Sequence, residues 1–347
     1  MFKGLYIESS PVWEMAHSSP VFYFDFKDLD PGAYKSQIVH QVKSHIVKLK
    51  KPNEMDDYCK DLYDTLVSDA GFASSALKIL TEVAYEVTGK RSYLLIDEYD
   101  KLLMDSYNTD EYDQIRRFIT TLFSSALKGN QYLEKALLTG VMRISHESMF
   151  SGLNNITTFD VFNDKVYTDD YGFTEEEIAA MNRQAEFDAD KLRQWYNGVR
   201  INGKPIYNTY SVMSYLREDD YRCYWGKSGA MDMIADLLND SRRALLANLL
   251  NGEEVLVSIV DRVSIKDLSG NSSDQAYYSL LVQSGYLAYC RPAEGLTSSA
   301  YVSIPNVELM LVWKDFRCKP QVPAIQPRKW RRTLRYFGRK TKRLFFV

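Results

Sequence analysis

The chain has 347 residues, 45% hydrophobic and 26% charged, the composition of a folded protein long enough for two cores. No run approaches the roughly 18 apolar residues of a membrane span. The N-terminal MFKGLYIESSPVWEM lacks the apolar core of a secretory signal, and Cys59, Cys223, Cys290 and Cys318 form no CxxC pair. The formal net charge of −3 hides an asymmetry: from Arg317 onward there are seven Arg, four Lys and no acid, set against an acidic remainder. His40 and His45 are five positions apart and His17 and His146 stand alone, so a cytoplasmic, metal-free chain with no membrane contact is expected.

Val21-Phe22-Tyr23-Phe24-Asp25-Phe26 reads as a buried strand, ended by the turn Asp28-Leu29-Asp30-Pro31-Gly32. Ile38, Val42, Ile46 and Leu49 then recur at helical spacing. A polar connector, Lys50 to Glu54, leads to a second helical region with the stripe Leu77, Leu80, Ala84 and Val87 and a stop at Gly89. Tyr93-Leu94-Leu95-Ile96 is a second buried strand and runs into Asp97-Glu98-Tyr99-Asp100. A helix with Ile115, Phe118, Ile119, Leu122 and Ala126 inward precedes the strand Ala136 to Val141 and a short apolar stretch at Phe159-Val161-Phe162. Strands alternating with helices predict a parallel sheet covered on both faces.

Beyond residue 165 the pattern changes. Thr174-Glu175-Glu176-Glu177 predicts a helix start, Trp195-Tyr196-Asn197-Gly198 a turn, and Leu246 to Gly252 a helix with its stop. Tyr277 to Gln283 reads as helix, Gly285 to Tyr289 as extended, Ala293 to Leu296 as a turn and Tyr301 to Ile304 as extended again. Helix, strand, turn, strand predicts a mainly helical, winged-helix-like unit. Three regions are expected: an α/β domain over 1–165, this helical unit over 166–316, and a basic tail over 317–347.

Chemistry concentrates at two strand ends. An apolar strand that delivers Asp97 and Glu98 at its carboxyl end could place one carboxylate on Mg²⁺ and the other on an attacking water; equally, the pair could open a solvated loop. Thr139, ending the next strand, could touch a γ-phosphate or its water, and Arg143 could neutralise phosphate charge. Alternatively Thr139 is a β-former and Arg143 a surface cation. A phosphate cradle would read GxxxxGK followed by Ser or Thr. Gly89-Lys90 has Ala84 at the first position, Gly226-Lys227-Ser228 has Tyr221 there, and Gly203-Lys204 runs into Pro205. None completes the pattern. Ser145-His146-Glu147 suggests a hydrolase only superficially, because neighbours in sequence cannot form a relay with one another.

YLLIDEYDKLL (Tyr93 to Leu103) together with LLTGVMRISHESMFSGLNNI (Leu137 to Ile156) resembles the AAA-ATPase-like family of bacterial and archaeal proteins, whose members often carry a C-terminal PD-(D/E)XK-type nuclease domain. YGFTEEEI (Tyr171 to Ile178), WYNGV (Trp195 to Val199), IYNTYSVMSYL (Ile206 to Leu216) and IPNVELMLVW (Ile304 to Trp313) extend the match over residues 1–316. The resemblance implies a P-loop NTPase-type parallel sheet with flanking helices, ATP and Mg²⁺ as cofactors, Asp97 as the Mg²⁺ carboxylate, Glu98 and Arg143 as catalytic residues, and Thr139 at the phosphate. It also implies a P-loop upstream of FKGLYIESS, where this sequence has only Met1, so an incomplete sheet and weak or absent ATP hydrolysis are expected. Without the P-loop strand, the sheet would keep unpaired inner edges. The tail reads either as an out-of-frame remnant or as an arm contacting DNA phosphates. A homo-oligomer is compatible, since Arg143 could act within one chain or across a subunit boundary.

Overall fold

The computed structural model describes residues 6–68, 70–107, 109–141, 156–162, 165–225, 234, 237–260, 263, 273–295 and 298–318. Strand β1 (Val21–Asp25) is followed by helices α1 (Tyr34–Leu49), α2 (Asp57–Ser68) and α3 (Ala76–Thr88), then by β2 (Ser92–Asp97). A short α4 (Lys101–Asp105) and a longer α5 (Tyr112–Leu127) lead to β3 (Leu133–Leu138). The three strands form a parallel sheet in the order β1-β2-β3, with Phe22 opposite Leu94 and Ile96 opposite Leu138.

The helices form at the expected apolar spacings. Ile38, Val42 and Ile46 of α1, Leu77, Leu80 and Ala84 of α3, and Ile115, Phe118, Ile119, Leu122 and Ala126 of α5 are all buried. Together with Phe22, Phe24, Leu94 and Ile96 they make the core on one side of the sheet. Because α3 touches both α1 and α5, these helices form a single layer.

The expected cover on both faces is not found among the described residues. Val21 is 57%, Tyr23 52% and Leu137 58% exposed on the opposite face. The strand order supplies the reason. Right-handed crossovers that step in one direction across a sheet put every connecting helix on the same side. Only a reversal of strand order would send a helix to the other face, and β1-β2-β3 contains none.

Other expectations are corrected in detail. The apolar stretch at Phe159-Val161-Phe162 lies in irregular chain, where Phe162 sets its ring edge against Tyr289. The third strand starts earlier than its apolar run and stops at Leu138, and Gly285 to Leu287 precede their strand. The region after 165 also holds more sheet than expected. Helices α6 (Glu175–Ala185) and α7 (Ala189–Tyr196) lead into a hairpin of β4 (Val199–Ile201) and β5 (Lys204–Ile206), which turns at Asn202 and Gly203, both with positive φ. After α8 (Thr209–Glu218) and α9 (Asp240–Leu250) come β6 (Val255–Ser258), α10 (Asp274–Gln283), β7 (Ala288–Pro292), β8 (Ser299–Ser303) and α11 (Val307–Cys318). The last three strands form an antiparallel sheet in the order β6-β8-β7. No helix of the described residues is long and apolar enough to cross a membrane.

The sequence motifs of this region interlock. The sequence predicts the helix start at Thr174, and the structure closes it with a reciprocal capping box between Thr174 and Glu177. The next residue, Glu175, accepts two bonds from the Arg193 guanidinium at 3.1 Å, one from Asn197 Nδ2 and one from Tyr207 Oη, both at 2.9 Å. Burial alone would raise the Glu175 pKa, but these donors outweigh it and hold the carboxyl below its ordinary 4.5. The folded state therefore binds fewer protons than the unfolded chain. Its stabilisation is present above pH 4.5 and is lost as pH falls through the depressed folded value. Urea midpoints measured between about pH 3 and 7 should decline more steeply on the acid side for the wild type than for Glu175→Gln. Parallel curves would refute this role.

Candidate functional site

The carboxyl ends of the three parallel strands bring the acids together. In β2 the residues Leu94 and Ile96 face the helices, so the alternation turns Asp97 toward the uncovered face. Register places Asp97 beside Asp25 of β1, and the ladder carries on past β3 with Thr139 N–H donating to Ile96 O at 2.9 Å. Thr139 Oγ1 donates to Asp97 Oδ1 at 2.5 Å, and the Glu98 N–H donates to the same oxygen at 3.0 Å. Tyr23 Oη, reaching across from β1, donates to Asp97 Oδ2 at 3.2 Å.

Glu98 carries the strain of this corner. Its φ is +53°, a left-handed conformation that costs a glutamate about 1–2 kcal/mol. The turn it makes lets Tyr99 N–H bond Thr139 O at 3.1 Å, and Lys101 N–H bond Glu98 O at 3.0 Å as α4 begins. Asp100 within the turn is fully buried. Gly140 packs so closely that a Cβ there would stand 2.5 Å from Asp100 Oδ1 and 2.7 Å from Tyr99 Cε1. Burial raises the Glu98 pKa above its ordinary value, and the Asp97 charge adds to the rise, against Lys101 and Lys27.

Beside this corner a groove runs between the end of β1 and α1, lined by Asp25, Asp28, Ser36, Gln37, His40 and Gln41. Asp25 Oδ1 accepts from Lys27 N–H at 2.8 Å, and the His45 ring nitrogen Nε2 lies 3.0 Å from Tyr23 O. Among the described residues no three His, Cys, Asp or Glu side chains converge to hold a metal ion.

Of the residues singled out in the sequence, Asp97, Glu98 and Thr139 meet at one point. Arg143 and Ser145-His146-Glu147 lie outside the described residues. Tyr23 and Asp25 were not picked out by sequence reasoning. The alternation within Val21–Asp25, with Phe22 and Phe24 inward, already put both on the other face, and Asp25 ends its strand as Asp97 ends β2.

The fold and this corner define an α/β protein with an acidic strand-end site. Residues 1–150 match the family model described as AAA-ATPase-like, a predicted AAA-ATPase, which bears out the resemblance over that region. Across 213 residues, 60% of the chain, it is 30% identical to an uncharacterized protein in the vnfD 5′ region of Azotobacter chroococcum mcd 1. That match spans 39% of the relative's length. No solved structure matches the chain.

Proposed function

We propose that Asp97, Glu98 and Thr139 form the acidic half of a nucleoside triphosphate site of the AAA-ATPase-like kind, in a chain that binds and hydrolyses ATP weakly or not at all. One observation carries this reading: the Thr139 hydroxyl fixes the Asp97 carboxylate across two adjacent strand ends, with Glu98 next to it. The oxygen donors of Asp97, Thr139 and, on the neighbouring strand, Asp25 suit a hard cation that keeps most of its water. Asp97 would hold Mg²⁺ through such water, and Thr139 would keep the carboxylate in one rotamer. When bound, the cation would supply charge neutralisation on the phosphates. Glu98, with its raised pKa, would orient a water and accept its proton. The weak binding proposed here is supported by the Gly-Lys pairs within these 347 residues, none of which completes the phosphate-binding pattern.

Calorimetric titration with Mg-ATP, run beside Asp97→Asn, tests the reading. No saturable heat up to about millimolar nucleotide is expected, against the micromolar to millimolar KM range of working enzymes. Saturable binding lost in Asp97→Asn would overturn the weak-binding part of the reading and show that Asp97 serves a nucleotide site.

The alternative, a DNA or protein reader built on the winged-helix-like unit, has less support. The succession α9, β6, α10, β7, β8 follows the order of such a unit. A recognition helix must offer a face to the groove, yet α10 buries every residue from Ala276 to Val282. A nucleic-acid role would therefore fall to the basic residues 317–347.

A further inference from the structure

We propose that Tyr23 is a positioning residue of the acidic corner, a hydroxyl stopper on Asp97 that a hydrated divalent cation must displace. The proposal rests on the reading of Asp97 as the cation-binding carboxylate and adds what regulates its access. The two oxygens of Asp97 are held differently. Oδ1 accepts from Thr139 Oγ1 and from the Glu98 N–H, both on chain segments tied into the β2–β3 ladder. Oδ2 accepts from Tyr23 Oη at 3.2 Å, long for a hydroxyl donor whose usual separation is about 2.7–2.8 Å.

The phenol also differs from the other donors in its surroundings. Tyr23 sits on the uncovered face of the sheet and is 52% exposed, so its ring can swing aside without opening the core. The Glu98 amide is backbone, in a turn closed by the Lys101 N–H bond to Glu98 O. The Thr139 hydroxyl is a short side chain on a residue whose own N–H is bonded to Ile96 O, so neither can move as far from Asp97 as the long Tyr23 ring. Oδ2 is thus the oxygen through which a cation gains the carboxylate, and Tyr23 is the group in its way. A carboxylate that already accepts a hydroxyl competes less well for the water shell of a cation. The phenol therefore lowers cation affinity while keeping Asp97 in a fixed rotamer.

The test uses Mn²⁺ alone as the probe, with free Mn²⁺ followed by its electron paramagnetic resonance signal as the full-length chain is titrated. Wild type, Tyr23→Phe, Asp97→Asn and the double variant are compared. Phenylalanine keeps the ring and its packing, so only the hydroxyl is removed. Tyr23→Phe is expected to bind Mn²⁺ about three- to tenfold more tightly than wild type, in the range set by the net contribution of one ordinary, long hydrogen bond. The gain should vanish in the Asp97→Asn background, as a double-mutant cycle requires of two coupled groups. Equal or weaker binding in Tyr23→Phe, with binding still lost in Asp97→Asn, would overturn the role of Tyr23 and leave Asp97 as the cation ligand. Binding insensitive to Asp97→Asn in both backgrounds would overturn the reading of Asp97 itself, and the proposal with it.

Discussion

Replacing Glu308 by alanine is expected to destabilise the protein by about 3–5 kcal/mol, from three donors that lose their acceptor at about 1–3 kcal/mol for each one left unsatisfied. Glu308 lies in the first turn of α11 and is completely buried. Its carboxylate accepts from the Tyr224 and Trp225 N–H groups, each at 2.7 Å, and from Ser211 Oγ at 2.8 Å. One side chain thereby ties α8, the 224–225 segment and α11 together. Burial raises its pKa above the ordinary value, against the pull of those donors, so the contact is held at a desolvation cost. Alanine removes the acceptor and leaves the buried Ser211 hydroxyl and the half-buried Tyr224 and Trp225 amides without it. A fall in melting temperature on the order of 10 °C should follow. Glu308→Gln, which keeps one acceptor oxygen but turns an amide toward the donors, should fall between. Thermal unfolding of the two variants decides it, and an alanine variant that melts like the wild type would show that the junction is held elsewhere.

The second large effect is expected at Gly198. Its φ is +106°, and a Cβ built there would stand 2.2 Å from Pro305 O and 2.9 Å from Pro305 C, both backbone atoms that cannot rotate away. Gly198→Ala should cost about 3 kcal/mol or more, because backbone strain and steric collision act together. Gly203→Ala supplies the contrast. Gly203 has φ +80° but open space where a Cβ would go, so strain alone applies and about 1 kcal/mol should be lost. Urea unfolding of the pair separates the two terms, and equal losses would mean that the Pro305 contact yields. The collision would also pull apart Asn306 Nδ2 and Asn197 O, which are bonded at 2.9 Å where the start of α11 meets the end of α7.

Both sites fall inside motifs that sequence reading could name but not explain. WYNGV and IPNVELMLVW are far apart in the chain, and their meaning is each other: Gly198 against Pro305, Asn197 against Asn306. The helices α1, α3 and α5 were legible because long apolar periods survive in any context. The β4–β5 hairpin was not read, although Asn202-Gly203 is a strong turn signal. Strands of three residues are too short to show alternation. The cover of the main sheet was misread because Tyr23, Leu95 and Leu137 are apolar enough to suggest burial, and composition does not reveal the direction in which strands are added. At the acidic corner, Asp97, Glu98 and Thr139 were visible at strand ends. Tyr23 was not, since only the register of two strands brings its hydroxyl to Asp97. The left-handed turn at Glu98 was equally hidden, because glutamate carries no preference for it.

The strand order also bears on how the corner comes into being. Thr139 and Asp97 are 42 positions apart, Tyr23 and Asp97 74. Parallel pairing has to close such loops before any contact repays their entropy, and the longer loop costs more. The β2–α5–β3 unit should therefore assemble first, with Asp97 already anchored on Thr139, and β1 should dock afterwards. The Tyr23–Asp97 bond is then the last part of the corner to form and, on partial unfolding, the first to open.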